Sequence, residues 1–446
     1  MYLMDTLYSN CHTIEGTSVG CRFLNGRSIV ARYVRKVWER VPDSLTLRRE
    51  CLPYRAFLPD PLAGWHPVFG EDVMRRADWA VRHLARANHQ FAGSASARLF
   101  LWGESLGSSR IEQLDSDLRK VARARAVQLR RGIHHYGRAA RVITNLDATR
   151  RAVAFLESSG YIGLEDLLEA HVMLFRGGGS GDASGRIRTD QNWIGHHDGP
   201  YRARFVPPPP EHVARLMDDL VAYCNGHYQS PIIQAALAHG QFEVIHPFAD
   251  GNGRIGRALV HAVLARRGLT DRFAPPISLY LSARKEDYIE ALQGFAIECE
   301  ADDPARSRAA EALVEVFSDA AINSCETVVH YHRLLRSIQA RWQSQVADRT
   351  RSKTVRSLLD VIAANPVMTV DRACELAGAS ERRTRGALAF LEASGVLRAR
   401  KARKAHGLLL WEADEVFDLL ALCERNIARP HLIPTEAEAL RGPGVS

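Results

Sequence analysis

The chain has 446 residues, 46% hydrophobic and 25% charged, with a formal net charge of +8. This balance excludes a disordered or fibrous chain and leaves room for two or three domains. The positive excess suits phosphate-bearing partners, which bears on association rather than on fold.

Residues 1–40 show little periodicity, and the basic run at residues 32–40 is given no packed role. Short segments broken by Pro59 and Pro61 lead to a helical pattern over residues 77–85, so residues 41–93 read as a segment laid over a helical domain. Over residues 94–325 apolar positions return every three and four residues, the mark of amphipathic helices. One interruption, residues 185–206, alternates around a turn at His196, His197, Asp198, Gly199 and Pro200 and reads as a β-hairpin. A polar turn explains that His-His-Asp run better than a metal does. The glycine-rich residues 176–182 have neither a preceding strand nor a following Gly-Lys-Ser/Thr, so they read as a flexible connection and not a second phosphate loop. Prolines 207–210 enforce extended backbone before a helix over residues 211–223.

Tyr331, Leu335, Ile338 and Trp342 mark a connector helix within residues 326–353. Residues 354–425 then read as three helices, at 355–363, 370–377 and 381–394, and two strands, at 396–400 and 408–411. That order matches a winged helix-turn-helix with Gly378, Ala379 and Ser380 as its turn; residues 426–446 are a tail. The eight cysteines lack a CxxC pair or zinc-finger spacing and read as reduced thiols. No apolar run approaches the ~20 residues of a membrane helix, and the N-terminus lacks a secretory pattern, so a cytoplasmic location and no membrane partner are expected.

The stretch from His246 to Arg257 carries the chemistry. Gly251 and Gly253 allow close backbone approach, and Ile255, Leu259, Ala262 and Val263 share one helical face, so a helix starts near Asn252. A glycine-rich loop feeding a helix N-terminus presents N–H groups and a positive dipole end to phosphate. Asp250 is the hard oxygen ligand that Mg²⁺ prefers. Arg254 and Arg257 project from neighbouring turns to neutralise phosphate charge, and a neutral His246 imidazole suits proton acceptance from a hydroxyl.

These residues resemble the Fic family signature, HPFx(D/E)GNGRxxR, at every specified position. The resemblance spans roughly residues 50–325 and is strongest over 185–257. It implies a mainly α fold, a Fic-type helical core with a β-hairpin flap. It also implies a protein adenylyltransferase, which moves AMP from ATP to a Ser, Thr or Tyr hydroxyl of a target protein. In that reading His246 is the general base and Asp250 holds Mg²⁺. Gly251, Asn252 and Gly253 stabilise the α-phosphate, while Arg254 and Arg257 contact the outer phosphates. Gln191, Asn192, Trp193, Ile194 and Gly195 resemble the flap that pairs with target backbone as an added strand.

Upstream, residues 105–113 resemble the family's inhibitory (S/T)xxxE(G/N) element, with Ser108 and Glu112 at the matching positions. The resemblance implies that Glu112 competes with the γ-phosphate for Arg257, because one guanidinium cannot serve both bidentately. The departure is Gln113, where Gly or Asn would accept the left-handed helix end more easily. Arg382, Arg383 and Arg385 on the candidate recognition helix, with Arg398, Arg400, Lys401, Arg403 and Lys404 on the wing, leave two readings open: DNA phosphate contact, or a protein docking or homodimer surface. Removal of AMP from modified proteins, and a DNA-binding regulator that uses the core as a nucleotide sensor, are the alternative functions.

Overall fold

The computed structural model describes residues 29–40, 50–91, 94–113, 117–131, 138–175, 184–195, 198–270, 273–300, 303–401 and 408–433. The expected extension up to residue 28, most of the glycine-rich connection, His196, His197, Arg403, Lys404 and the tail beyond residue 433 lie outside the described residues.

From the N-terminus, β1 (Ile29–Arg40) and β2 (Glu50–Leu58) precede α1 (Glu71–Phe91), α2 (Ala95–Ile111), α3 (Leu118–Arg131), α4 (Arg138–Ser158) and α5 (Leu164–Phe175). Next come α6 (Pro210–Asn225), α7 (Pro231–Ile245), α8 (Asn252–Arg266), α9 (Ile277–Ala283), α10 (Lys285–Phe295), β3 (Cys299–Glu300) and α11 (Pro304–Ala347). The C-terminal part holds α12 (Lys353–Ile362), β4 (Val367–Met368), α13 (Val370–Ala377), α14 (Glu381–Ala393), β5 (Arg398–Lys401), β6 (Leu409–Glu412) and α15 (Asp414–Arg425). The fold is mainly α. It groups into two compact units, one of residues 1–81, 151–268 and 286–318, the other of residues 82–150, 269–285 and 319–446.

The first unit is built on α7 and α8. Nearly every side chain of α7 from Ile232 to Ile245 is buried, as expected of a helix whose polar residues are few and internally bonded. α8 lies so close that a Cβ on Gly256 would fall 2.6 Å from Glu243 Oε1 and 3.1 Å from His239 Nδ1. A sheet of order β2-β1-β3 covers one side, and Ala31, Phe57, Val244 and Cys299 form its buried core. The basic run at residues 32–40, given no packed role from sequence, is therefore the central strand of this sheet. Its alternation is masked because apolar and basic residues occupy both faces; Lys36 bonds Glu211 at 2.6 Å while Trp38 packs edge-on against Trp193 at 5.1 Å.

Among the described residues, the expected hairpin over residues 185–206 is present as one antiparallel bridge, Ile194 to Phe205. Gly195 and Gly199 take φ of 96° and 134°, and residues Pro200–Arg202 coil into a 3-10 turn, which ends the ladder early.

In the second unit α2 passes α9 at backbone contact. A Cβ on Gly107 would fall 2.3 Å from the Leu279 nitrogen, and buried Glu104 accepts from the Ser278 N–H at 2.7 Å. Helix α2 ends at Ile111, and Gln113 adopts φ 62°, the left-handed conformation a Gly or Asn would take more easily. The C-terminal elements run helix, strand, helix, helix, strand, strand, with sheet order β4-β6-β5 and Gly378 in the left-handed region after α13. α11 is one unbroken helix through the expected boundary at residue 325, because Cys325, Val328, Tyr331, Leu335 and Trp342 continue its buried face.

Candidate active site

Helix α7 stops at His246, which caps it with φ 51° and ψ 61°. A left-handed non-glycine residue is uncommon and costs about 1–2 kcal/mol, so the local fold holds this residue there against its preference. Its imidazole is 19% exposed, and Nδ1 lies 3.2 Å from the Glu243 carbonyl oxygen. A carbonyl only accepts, so Nδ1 carries the hydrogen and Nε2 keeps its lone pair. The Glu243 carboxylate approaches the same Nδ1 at 3.9 Å.

The loop that follows is shaped by side chains bonding to its backbone. The buried Asn252 amide accepts from the Phe248 N–H at 2.8 Å and donates to the Phe248 carbonyl at 2.8 Å. The carboxamide that sequence reasoning aimed at the α-phosphate thus closes the loop. Gly251, with φ 79°, starts α8, and a Cβ there would strike Leu174 at 2.9 Å. No side chain caps α8, so its first-turn N–H groups are available to an anion. Asp250 is half exposed and accepts from the Gly251 N–H at 2.6 Å through Oδ1. Arg254 approaches that same oxygen at 3.7 Å and lies over the Phe175 ring at 5.3 Å. Arg257 is 3% exposed.

Residues 161–264 match the Fic/DOC family. The chain carries a Fic domain. Among curated relatives are protein adenylyltransferase fic-1 of Caenorhabditis elegans, 35% identical over 130 residues, 28% of this chain and 23% of the relative, and a probable protein adenylyltransferase of Aquifex aeolicus, 38% identical over 87 residues, 19% of this chain and 27% of the relative. The match thus spans about a quarter of those relatives' length. A solved Fic family protein from Desulfovibrio desulfuricans G20 aligns at TM-score 0.48 and 20% identity over 78% of this chain and 98% of that one.

Two residues of the Fic domain that sequence reasoning missed brace the loop. His171 of α5 stacks on Phe248 with centroids 4.0 Å apart. Its Nδ1 accepts from the Gly185 N–H at 2.8 Å, so Nε2 is the nitrogen that donates to the Asp250 carbonyl at 2.9 Å. Burial pushes its pKa down and favours this neutral ring. The signal was a lone histidine on the buried face of α5 beside Leu167, Ala170 and Leu174. The other is Arg188, buried, with its guanidinium among backbone carbonyls. Deeper still, His239 bonds Tyr288 at 2.7 Å, and burial pushes its pKa to about 3.

The expected flap residues divide. The Gln191 amide donates to the Pro207 carbonyl at 3.0 Å, and Asn192 donates to the His246 and Phe248 carbonyls at 3.3 and 3.1 Å, so both face inward. Ile194 is 37% exposed, Gly195 is also exposed, and Trp193 rests on Trp38. The Ile194 N–H and carbonyl both bond across the bridge to residues 204 and 205. Ser108 and Glu112 belong to the second unit, Ser108 buried and Glu112 exposed.

Also in the second unit, Arg123 makes a bidentate pair with the fully buried Glu412 at 2.5 and 2.7 Å. Arg400 approaches Glu412 at 3.3 Å and Asp414 at 3.0 Å, and Arg398 approaches Asp414 at 3.5 Å. Arg398 and Arg400, read from sequence as a DNA-phosphate or a protein docking surface, are thus engaged within the chain. Arg382, Arg383 and Arg385 on α14 are exposed, Arg385 pairing with Glu381 at 2.6 Å.

Proposed function

We propose that the chain is a protein adenylyltransferase, with ATP as donor and a protein hydroxyl as acceptor. The observation that carries this is the tautomer of His246. With Nδ1–H turned to the Glu243 carbonyl, Nε2 is the nitrogen that accepts a proton when the ring is neutral, next to the uncapped start of α8. The target hydroxyl gives its proton to Nε2 while its oxygen attacks the α-phosphorus in line. The bond from that phosphorus to the bridging oxygen breaks, and pyrophosphate leaves. The Gly251 N–H is taken by Asp250, so the first-turn amides of α8, Gly253 among them, oppose the charge growing on the α-phosphate, and Arg254 and Arg257 oppose that on the departing phosphates.

Asp250 fits Mg²⁺: its carboxylate is half exposed, and Oδ2 is the oxygen turned away from the Gly251 bond. Among the described residues no group of three His, Cys, Asp or Glu could cage a metal. Mg²⁺ held by one carboxylate, water and nucleotide phosphates needs no such cage. The ion would supply charge neutralisation at the phosphates. Ile194 spends its backbone groups on the bridge to residues 204 and 205, so in this reading it offers a target strand its exposed side chain, and Gly195 is the neighbouring position that offers backbone. Glu112 is the brake, and residues 354–425 are the winged helix-turn-helix module.

Labelled ATP tests this with wild type, Glu112→Gly and His246→Ala. Transfer rises in the first variant and falls roughly 10² to 10⁴-fold in the second, which still binds ATP. Wild-type transfer by His246→Ala would remove the base from the mechanism. Release of AMP from an already modified target, without transfer from ATP, would favour the reverse reaction on the same residues.

A further inference from the structure

Arg188 is 7% exposed, and its hydrogen-bond partners among the described residues are all backbone carbonyls. Nε donates to His246 O at 2.8 Å, Nη1 to Asp190 O at 3.0 Å, and Nη2 to Pro208 O at 2.6 Å and Ile245 O at 3.3 Å. Its own N–H donates to Pro247 O at 2.9 Å. No carboxylate lies within ion-pair distance of it among the described residues; Glu211 and Asp190 act on it only from farther away, and burial lowers its pKa to about 10. It is therefore still charged at neutral pH, in a place where charge is costly.

What the burial accomplishes is visible at the carbonyls. His246 is left-handed, so its carbonyl turns out of the α7 direction and cannot join the helix ladder. Such backbone persists only where the surroundings over-determine it. Arg188 binds that carbonyl and the one before it with a rigid fork, and its backbone binds the one after it. Three consecutive carbonyls, of Ile245, His246 and Pro247, are fixed by one residue. The same fork holds Asp190, just ahead of the flap, and Pro208.

We propose that Arg188 is the positioning residue for the catalytic imidazole: it holds the strained backbone of His246 and locks the flap to it. The role rests on the adenylyltransferase reading for its kinetic consequence, though not for its structural one. Misplacing a reacting group by about 1 Å costs on the order of 10²-fold. In the Glu112→Gly background, Arg188→Met lowers kcat about that much while KM for ATP stays within about twofold, since Arg188 contacts no nucleotide-binding group other than the base. Arg188→Lys, which keeps the charge but not the fork, recovers only part of the loss. In both variants the His246 Cε1–H resonance, assigned by its disappearance in His246→Ala, shifts or broadens.

Should Arg188→Met fail to fold, Arg188→Lys carries the test. Unchanged kcat in the folded variants, an unmoved His246 resonance, or a parallel loss of kcat and ATP binding would each overturn the proposal. If the parent transfers nothing, the adenylyltransferase reading fails on its own, and the resonance still decides whether Arg188 holds the histidine.

Discussion

Arg188 in the first unit and Glu412 in the second are both buried charges, and their surroundings treat them in opposite ways. Arg188 is solvated by four neutral carbonyls, which lower the cost of burial without cancelling the charge. Glu412, 0% exposed, is met by guanidinium groups from Arg119, Arg123 and Arg400, and the adjoining Asp414 by Arg119, Arg398 and Arg400. Dipoles fix backbone and leave a positive field standing; counter-ions neutralise and tie elements together. The first arrangement lies beside the loop proposed to hold phosphate, the second in a seam joining α3 to the C-terminal strands.

The largest expected effect breaks the seam. Glu412→Ala leaves three guanidinium groups facing one another, and removing one partner of a buried ion pair costs about 3–5 kcal/mol. Urea unfolding followed by a second-unit probe, Trp342 or Trp411, should show an earlier transition; an unmoved midpoint would mean that the seam contributes nothing net.

A smaller effect tests the neutral side of the comparison through His239. Its folded pKa, about 3, lies below the ordinary 6.5. The unfolded chain therefore takes up a proton first as pH falls, so the stability His239 contributes is complete above pH 6.5 and is lost progressively towards pH 3. The slope is about 1.4 kcal/mol per pH unit, or roughly 2 kcal/mol by pH 5. Replacement by glutamine, which can still bond Tyr288, should flatten this part of the stability curve; an identical pH dependence in the variant would exclude the buried imidazole as its source.

The smallest contrasts His246 and Gln113, the two left-handed non-glycine residues among the described ones. Gln113 is held by its N–H to the Arg110 carbonyl at 2.9 Å, with no buried fork like that of Arg188. Gln113→Gly removes a cost of about 1–2 kcal/mol against about 0.5–1 kcal/mol of added chain entropy. A gain of roughly 0.5–1 kcal/mol should appear as a slightly later melt; a loss would show that the glutamine side chain has a binding partner of its own.

The motif loop was legible because glycine, aspartate, arginine and histidine at those spacings have few other uses, and α8 begins at Asn252, as its apolar spacing requires. The α6, α13 and α14 helices were likewise readable from periodicity and from Gly378. β1 was not, although its main partner β2 is the next strand in the chain, because basic and apolar residues share both of its faces and leave no alternation to read. Arg188 stood inside a stretch already singled out, yet nothing in its neighbours reveals that its donors land on Ile245, His246 and Pro208. Asn252 was legible as important, but its bonding within the loop was not, since only the folded loop brings both groups of its amide onto Phe248.

The strand pair β1 and β2 bears on how this protein can be cut. The family match begins at residue 161, but Ala31 and Phe57 pack against Val244, two positions before His246, and the Phe57 N–H bonds the Val206 carbonyl at 2.9 Å. An expression fragment trimmed to the family boundary would bare Val244, Phe205 and Phe295 to water and release the flap's outer support, so a working minimal piece must retain the chain from residue 29.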